Sequence, residues 1–247
     1  MAEQATVMIY RGDDESGEMV PYTIPLAPGM VVLDAVHQVQ AIHAPDLAVR
    51  WNCKAGKCGS CGGEVNGKPK LMCMDRMDNY PEGEPITIRP MKSFPVTKDL
   101  VCDVSWNFEV NKTIPAFKMQ NTASEDPRFS QDEADRVQEF RKCIECFLCQ
   151  NVCHVLREHD KQEEFAGPRY FVRTAGLEMH PLDDENRLGN LKGELGLGYC
   201  NITKCCTEVC PESIAITDNA IIPLKERVVD EFYDPVMKLL RIVFPSQ

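Results

Sequence analysis

Eleven of the thirteen cysteines in this 247-residue chain fall into three groups of short, regular spacing. The first reads Cys53-x4-Cys58-x2-Cys61 and is followed, beyond a short hairpin signal, by Cys73. The second is Cys143-x2-Cys146-x2-Cys149-x3-Cys153, and the third is Cys200-x5-Cys206-x3-Cys210 with Pro211 directly after it. Several thiolates aimed at a core a few ångströms across are what an iron–sulfur cluster needs. The first spacing is that of plant-type 2Fe–2S sites, and the other two are variants of the bacterial two-cluster ferredoxin run.

Disulfides explain the pattern less well. The count is odd and the chain is large for a disulfide scaffold, and clustered cysteines in a reducing compartment more often bind metal. Zinc favours two separated Cys pairs or Cys/His pairs, which these runs are not. A net charge of −11 argues against binding nucleic acid, which needs a basic face, and against binding alone to an anionic membrane surface. No stretch approaches the ~20 consecutive apolar residues of a spanning helix. The opening MAEQATVMIYRGDDES has neither a basic leader nor an apolar signal core. The chain is therefore expected to start there and to stay in the cytoplasm.

Patterning divides the chain into two domains, 1–106 and 107–247. Residues 5–10 and 19–24 read as strands around the turn GDDESGE, and apolar positions from Val31 to Ile42 recur at helical spacing until Pro45 stops them. The first cysteine loop follows, then a hairpin signalled by Asn66-Gly67 and a last strand ITIRP at 86–90. That order predicts a β-grasp, ferredoxin-like domain. Beyond about residue 105 the signals become helical. Ser130 and Glu133 form a capping box, helical segments are broken at Gly167-Pro168 and at DDENRLGN, and a last helix spans about 223–244 with a break near Pro235. The fold class is α+β: a β-grasp 2Fe–2S domain followed by an all-helical two-cluster domain.

In a bacterial run the first three cysteines hold one cluster and the fourth crosses to the other. Cys143, Cys146, Cys149 and Cys210 are thus the expected ligands of a 4Fe–4S cluster, and Cys153 joins Cys200 and Cys206. A complete third run would place cysteine at 203, but Thr203 stands there. Three thiolates hold three irons, so the expected occupant is a 3Fe–4S cluster. Cys53, Cys58, Cys61 and Cys73 hold the 2Fe–2S cluster. Cys102 reads as a small buried hydrophobe. Cys205 lies two residues from the gap and could capture a fourth iron. Adjacent side chains diverge, however, and packing is the reading adopted. Lys54, Lys57 and Lys204 either offset cluster charge or are solvated.

The stretches CKAGKCGSCGGEVNG, PMKSFPVTKDLVCD, CIECFLCQNVC and CNITKCCTEVCP together resemble the iron–sulfur subunit of succinate dehydrogenase and fumarate reductase, the respiratory complex II family. The resemblance implies a flavoprotein partner with covalent FAD that oxidises succinate, and a membrane anchor that binds quinone. Single electrons would pass from flavin through 2Fe–2S, 4Fe–4S and 3Fe–4S to quinone. It also implies a peripheral position on the cytoplasmic face of the inner (plasma) membrane. Familiar ubiquinone-linked members carry Pro after the equivalent of Cys153, a Trp a few residues on, and His after the equivalent of Cys200. Here those positions hold His154, Arg157 and Asn201, with no Trp nearby, which points to a rearranged quinone end or one suited to a different quinone such as menaquinone. His154 reads either as a hydrogen-bond or proton donor there or as a helix-end histidine. The amphipathic stretch 236–244 either touches the anchor or docks on its own domain. Competing functions are a fumarate reductase subunit working in reverse, a free-standing ferredoxin and a zinc-stabilised adaptor.

Overall fold

The computed structural model describes residues 4–119 and 128–236. These form two compact units. One comprises Met1–Trp106 together with Ile144–Val152 and Val209–Pro211, and the other Asn107–Cys143, Cys153–Glu208 and the residues from Glu212 onward.

The first unit is a sheet wrapped on one helix. Strands β1 (Gln4–Gly12) and β2 (Gly17–Pro25) pair antiparallel from Gln4↔Pro25 to Gly12↔Gly17. Their turn is closed by the Asp13 carboxylate, which accepts from the amides of Glu15 and Ser16 at 3.0 and 2.9 Å. Helix α1 (Val32–Ile42) buries Val32, Leu33, Ala35, Val36 and Val39 along one stripe. Strands β3 (Gly62–Val65) and β4 (Lys68–Leu71) form the predicted hairpin, with Asn66 and Gly67 both at positive φ, as a two-residue turn of the primed type demands. Strand β5 (Ile86–Arg89) lies parallel to β1 and antiparallel to β3, which gives the order β2-β1-β5-β3-β4. This is the expected β-grasp arrangement. Its core sets Val7, Ile9, Ile24, Val65 and Ile88 of the sheet against the apolar face of α1.

A second ribbon, β6 (Val96–Lys98) with β7 (Val101–Cys102), was not anticipated. Strands this short carry no readable alternation. The ribbon is anchored by Asp99 in its turn, only 2 % exposed, which accepts from Arg11 Nε, Gly12 N and Ala48 N at 2.9–3.0 Å.

The remaining helices are short. They are α2 (Ser105–Thr113), α3 (Gln131–Gln138), α4 (Leu148–Val152), α5 (His154–Arg157), α6 (Pro168–Glu178), α7 (Leu188–Lys192), α8 (Cys205–Glu208) and α9 (Ile222–Phe232), the last entered through a π-helical turn at Ile216–Ile221. The predicted box caps α3: Glu133 N donates to Ser130 Oγ at 3.3 Å, and Ser130 N donates to Glu133 Oε2 at 2.7 Å. Gly167-Pro168, read as a break, is also a start, because Pro168 sits in the first turn of α6, where its missing N–H has no partner to lose. Helix α9 ends at Phe232, before Pro235, and the proposed amphipathic stretch lies outside the described residues beyond Val236. Among the described residues no helix is long and apolar enough to cross a membrane.

Two buried polar constructions hold these pieces in place. In the first unit, Asn151 of α4 donates from Nδ2 to Glu64 Oε1 at 2.9 Å and accepts from Ser93 N at 3.0 Å, while Phe147 and Leu148 enter the apolar core. In the second, the fully buried Arg187 donates to the carbonyls of Pro115, Ala116 and Glu185 and to Asp183 Oδ2, at 2.7–3.0 Å. The polar run DDENRLGN thus contains the most tightly held cation described in its unit.

Candidate iron–sulfur centres

The loop between α1 and β3 folds around sulfur. Ala55 N and Lys57 N both point at Cys53 Sγ, each at 3.3 Å, and Gly56 N points at Cys73 Sγ at the same distance. Cys73, reached only after the β3–β4 hairpin, is thereby returned to that loop. Cys58 accepts from the amides of Cys53 and Ser60 and from the Ser60 hydroxyl, which pull its thiol down to about 6. Cys61 is buried beside Cys73 and Cys58, and desolvation pushes it up to about 12. The four thiols of the first group are therefore neighbours. Left-handed backbone at Lys54, Gly56 and Gly59 curls the loop so that its amides face the sulfurs.

Gly59 has a second constraint. A Cβ built on it would lie 2.8 Å from the Cα of Cys146 and 3.0 Å from its Cβ and N. Gly62 approaches the same residue, since its Cβ would stand 3.4 Å from the Cys146 carbonyl oxygen. The first cysteine loop thus lies directly against the second cysteine of the second run.

In that second run, Cys146, Cys149 and Cys210 belong to the first compact unit, and Cys143 to the second. The backbone is left-handed at Glu145 (φ 55°) and Phe147 (φ 59°), on either side of Cys146. The third run repeats this conformation. Ile202 (φ 61°) and Lys204 (φ 63°) flank Thr203 in the same way, although a β-branched residue such as Ile202 strongly resists left-handed backbone. Thr203 therefore occupies the position that Cys146 holds in the second run.

Cys153, Cys200, Cys205 and Cys206 line one small pocket in the second unit, together with His154, Asn201, Thr203 and Thr217. Burial pushes Cys153 up to about 12 and Cys206 up to about 11. Thiols this reluctant to ionise become thiolates when a metal takes the proton's place, so the donor set suits a cluster that brings its own positive iron. Amides of Val155 and Leu156 face Cys153, and Thr217 Oγ1 lies 3.5 Å from Cys206 Sγ. Thr203 Oγ1 is 3.3 Å from Cys205 Sγ.

Of the residues expected at the quinone end, His154 Nε2 and Asn201 Nδ2 meet at 2.9 Å on the pocket wall. Arg157 does not join them, and its Nε donates to Glu158 at 3.1 Å. Lys204 pairs with Asp218 at 2.7 Å, and Lys54 stands over the Trp51 ring at 5.0 Å. Cys102 is buried in the core with its thiol raised to about 11 by desolvation. Sequence reasoning missed Thr217 and the Gly59–Cys146 approach. Both join residues far apart in the chain, and only the glycine itself marked the second. Among the described residues, no three His, Cys, Asp or Glu side chains converge on one point as ligands of a single metal ion.

Residues 5–109 match the 2Fe-2S iron-sulfur cluster binding domain, and residues 139–214 match the 4Fe-4S dicluster domain. A chain of the Mycobacterium smegmatis Sdh1 complex in the apo form superposes with a TM-score of 0.92 at 56 % identity, covering 96 % of this chain and 100 % of that one. The fumarate reductase iron-sulfur subunit of Mycobacterium tuberculosis is 29 % identical over 83 % of this chain and 84 % of its own length. A subunit of the fumarate reductase (CoM/CoB) of Methanothermobacter marburgensis is 30 % identical over 91 % of this chain, which spans 44 % of that longer protein. The succinate dehydrogenase iron-sulfur subunit of Bacillus subtilis is 28 % identical over 88 % of this chain and 90 % of its own. With both cluster domains in this order, and a solved relative matched from end to end at 56 % identity, the chain belongs to the family of succinate dehydrogenase and fumarate reductase iron–sulfur subunits.

Proposed function

We propose that this chain is the electron-transfer subunit of a succinate:quinone oxidoreductase, with 1–106 as its 2Fe–2S domain and 107–247 as its two-cluster domain. When bound, the clusters supply one-electron transfer between the FAD of a flavoprotein subunit and a quinone held by a membrane anchor. The chain's own residues do the holding. Cys53, Cys58, Cys61 and Cys73 take the 2Fe–2S cluster, Cys143, Cys146, Cys149 and Cys210 the 4Fe–4S, and Cys153, Cys200 and Cys206 the 3Fe–4S. Loop amides facing the sulfurs of Cys53, Cys73 and Cys153 stabilise charge on them, and burial excludes water from Cys61, Cys153 and Cys206. None of these residues serves as acid or base toward succinate, whose chemistry belongs to the flavoprotein. The subunit sits peripherally on the cytoplasmic face of the plasma membrane, held by its anchor.

The observation that carries this reading is the repeated left-handed pair around Cys146 and Thr203. It gives the third run the backbone of a cluster-binding loop with a hydroxyl where the fourth thiolate would be. Low-temperature EPR on the purified complex, before and after reduction, tests it. An oxidised-state three-iron signal is expected alongside reduced 2Fe–2S and 4Fe–4S signals. Two 4Fe–4S signals with no three-iron signal would refute the assignment at Thr203, and zinc without acid-labile sulfide would refute electron transfer altogether.

A further inference from the structure

The contact between Gly59 and Cys146 joins two cysteine loops that have separate jobs in the proposed function. Gly59 lies between Cys58 and Cys61 of the first group, and Cys146 is the second cysteine of the second group. The missing side chain is what allows the contact. A Cβ at Gly59 would stand about 0.6 Å inside ordinary van der Waals separation from the Cys146 Cα, and it would also crowd the Cys146 Cβ and N. The obstacle on the far side is backbone, which cannot rotate aside as a side-chain tip can. Gly62 brings the start of β3 against the same residue, and the next two residues of the chain, Phe147 and Leu148, are locked in the core.

From this geometry we infer that Gly59 is a positioning residue that sets the separation between the 2Fe–2S and 4Fe–4S centres. The inference rests on the ligand assignment proposed above. Electron tunnelling falls exponentially with distance and magnetic dipolar coupling falls with its cube. A residue that lets two ligand loops touch backbone to backbone therefore governs both. Any β-carbon at this position must push the first loop away from Cys146.

Left-handed strain must be separated from spacing. Gly67, in the β3–β4 turn, provides the control: its φ is +75° against +69° for Gly59, but a Cβ there meets nothing within 4 Å. Gly59→Asn supplies the same β-carbon on a residue that tolerates left-handed backbone better than alanine does.

The experiment is pulsed EPR on the intact reduced complex from wild type, Gly59→Ala, Gly59→Asn and Gly67→Ala, with iron and sulfide counts for each. In wild type the paramagnetic neighbour is expected to enhance the relaxation of the reduced 2Fe–2S spin. Both Gly59 variants are expected to retain the cluster but lose part of that enhancement, with slower electron transfer to the second cluster in rapid freeze-quench. Gly67→Ala is expected to match wild type. Unchanged enhancement in the Gly59 variants, or an equal loss in Gly67→Ala, overturns the inference. Loss of the 2Fe–2S cluster from both Gly59 variants, with Gly67→Ala intact, overturns it too, in favour of a purely local role in building the loop. Absence of separate 2Fe–2S and 4Fe–4S signals in wild type would instead defeat the ligand assignment.

Discussion

Arg187→Met tests whether the second unit depends on one buried cation. Methionine keeps an unbranched stem in the same space, so the change removes the guanidinium while largely preserving packing. The arginine side chain is 0 % exposed and that of Asp183 is 1 % exposed. Substitution strips the donors from the carbonyls of Pro115 and Ala116 and from Asp183 Oδ2. Breaking a buried pair by deleting one partner costs about 3–5 kcal/mol. Asp183 keeps two backbone donors on Oδ1, from Lys118 N at 3.1 Å and Glu185 N at 3.0 Å, so the lower end applies, about 3 kcal/mol. That corresponds to roughly a 100-fold change in an equilibrium constant. Amide hydrogen exchange by mass spectrometry on the purified complex reads it locally. Protection in α6, α7 and residues 113–117 should fall by about two orders of magnitude, with the strands of the first unit unaffected. Arg187→Lys should recover only part of the loss, because an ammonium cannot span the fork of acceptors. A change of less than about threefold in those helices, roughly 0.7 kcal/mol, would refute the reasoning.

Thr203→Cys should convert the third centre from three irons to four, with loss of the oxidised-state EPR signal and impaired transfer to quinone. Unchanged cluster type and activity would count against a vacant corner at 203. Cys205→Ser should leave that EPR signal intact if the thiol only packs. In the cluster-free chain, alkylation with iodoacetamide should label Cys58 as a thiolate above about pH 6 and lose reactivity below it. Cys61, raised to about 12, should stay inert through neutral pH, and equal labelling at pH 7 would contradict the amide contacts on Cys58. Asn151→Ala should destabilise the first unit by about 2 kcal/mol, because Glu64 loses a donor inside the core; a shift in the urea midpoint at unchanged m-value is the check.

Much of the β-grasp sheet could be read directly because its signals are local. The Asn66-Gly67 turn, the apolar stripe from Val32 to Val39 and the capping box at Ser130 each lie within a few residues of the structure they specify. Cysteine spacing was equally legible, since a loop that curls around sulfur must place its thiols at short intervals. What stayed hidden depends on partners distant in sequence. Arg187 looked like part of a polar break between helices because its acceptors include carbonyls about 70 residues earlier. Thr217 reaches Cys206 across 11 residues with no motif to mark it. The ribbon at Val96–Cys102 owes its place to the carboxylate of Asp99, whose partners lie on β1 and in the loop after α1.

The first compact unit is not contiguous. Nine residues at Ile144–Val152 and three at Val209–Pro211 complete it, and they bring Phe147 and Leu148 into its core. On a ribosome, where the chain emerges from its N-terminus, the sheet can form early but must wait for its plug. Synthesis has to run as far as Pro211 before the last of these pieces appears. The first cysteine loop is thus translated long before the Cys146 backbone that packs against its Gly59, and that seat stays open for much of synthesis.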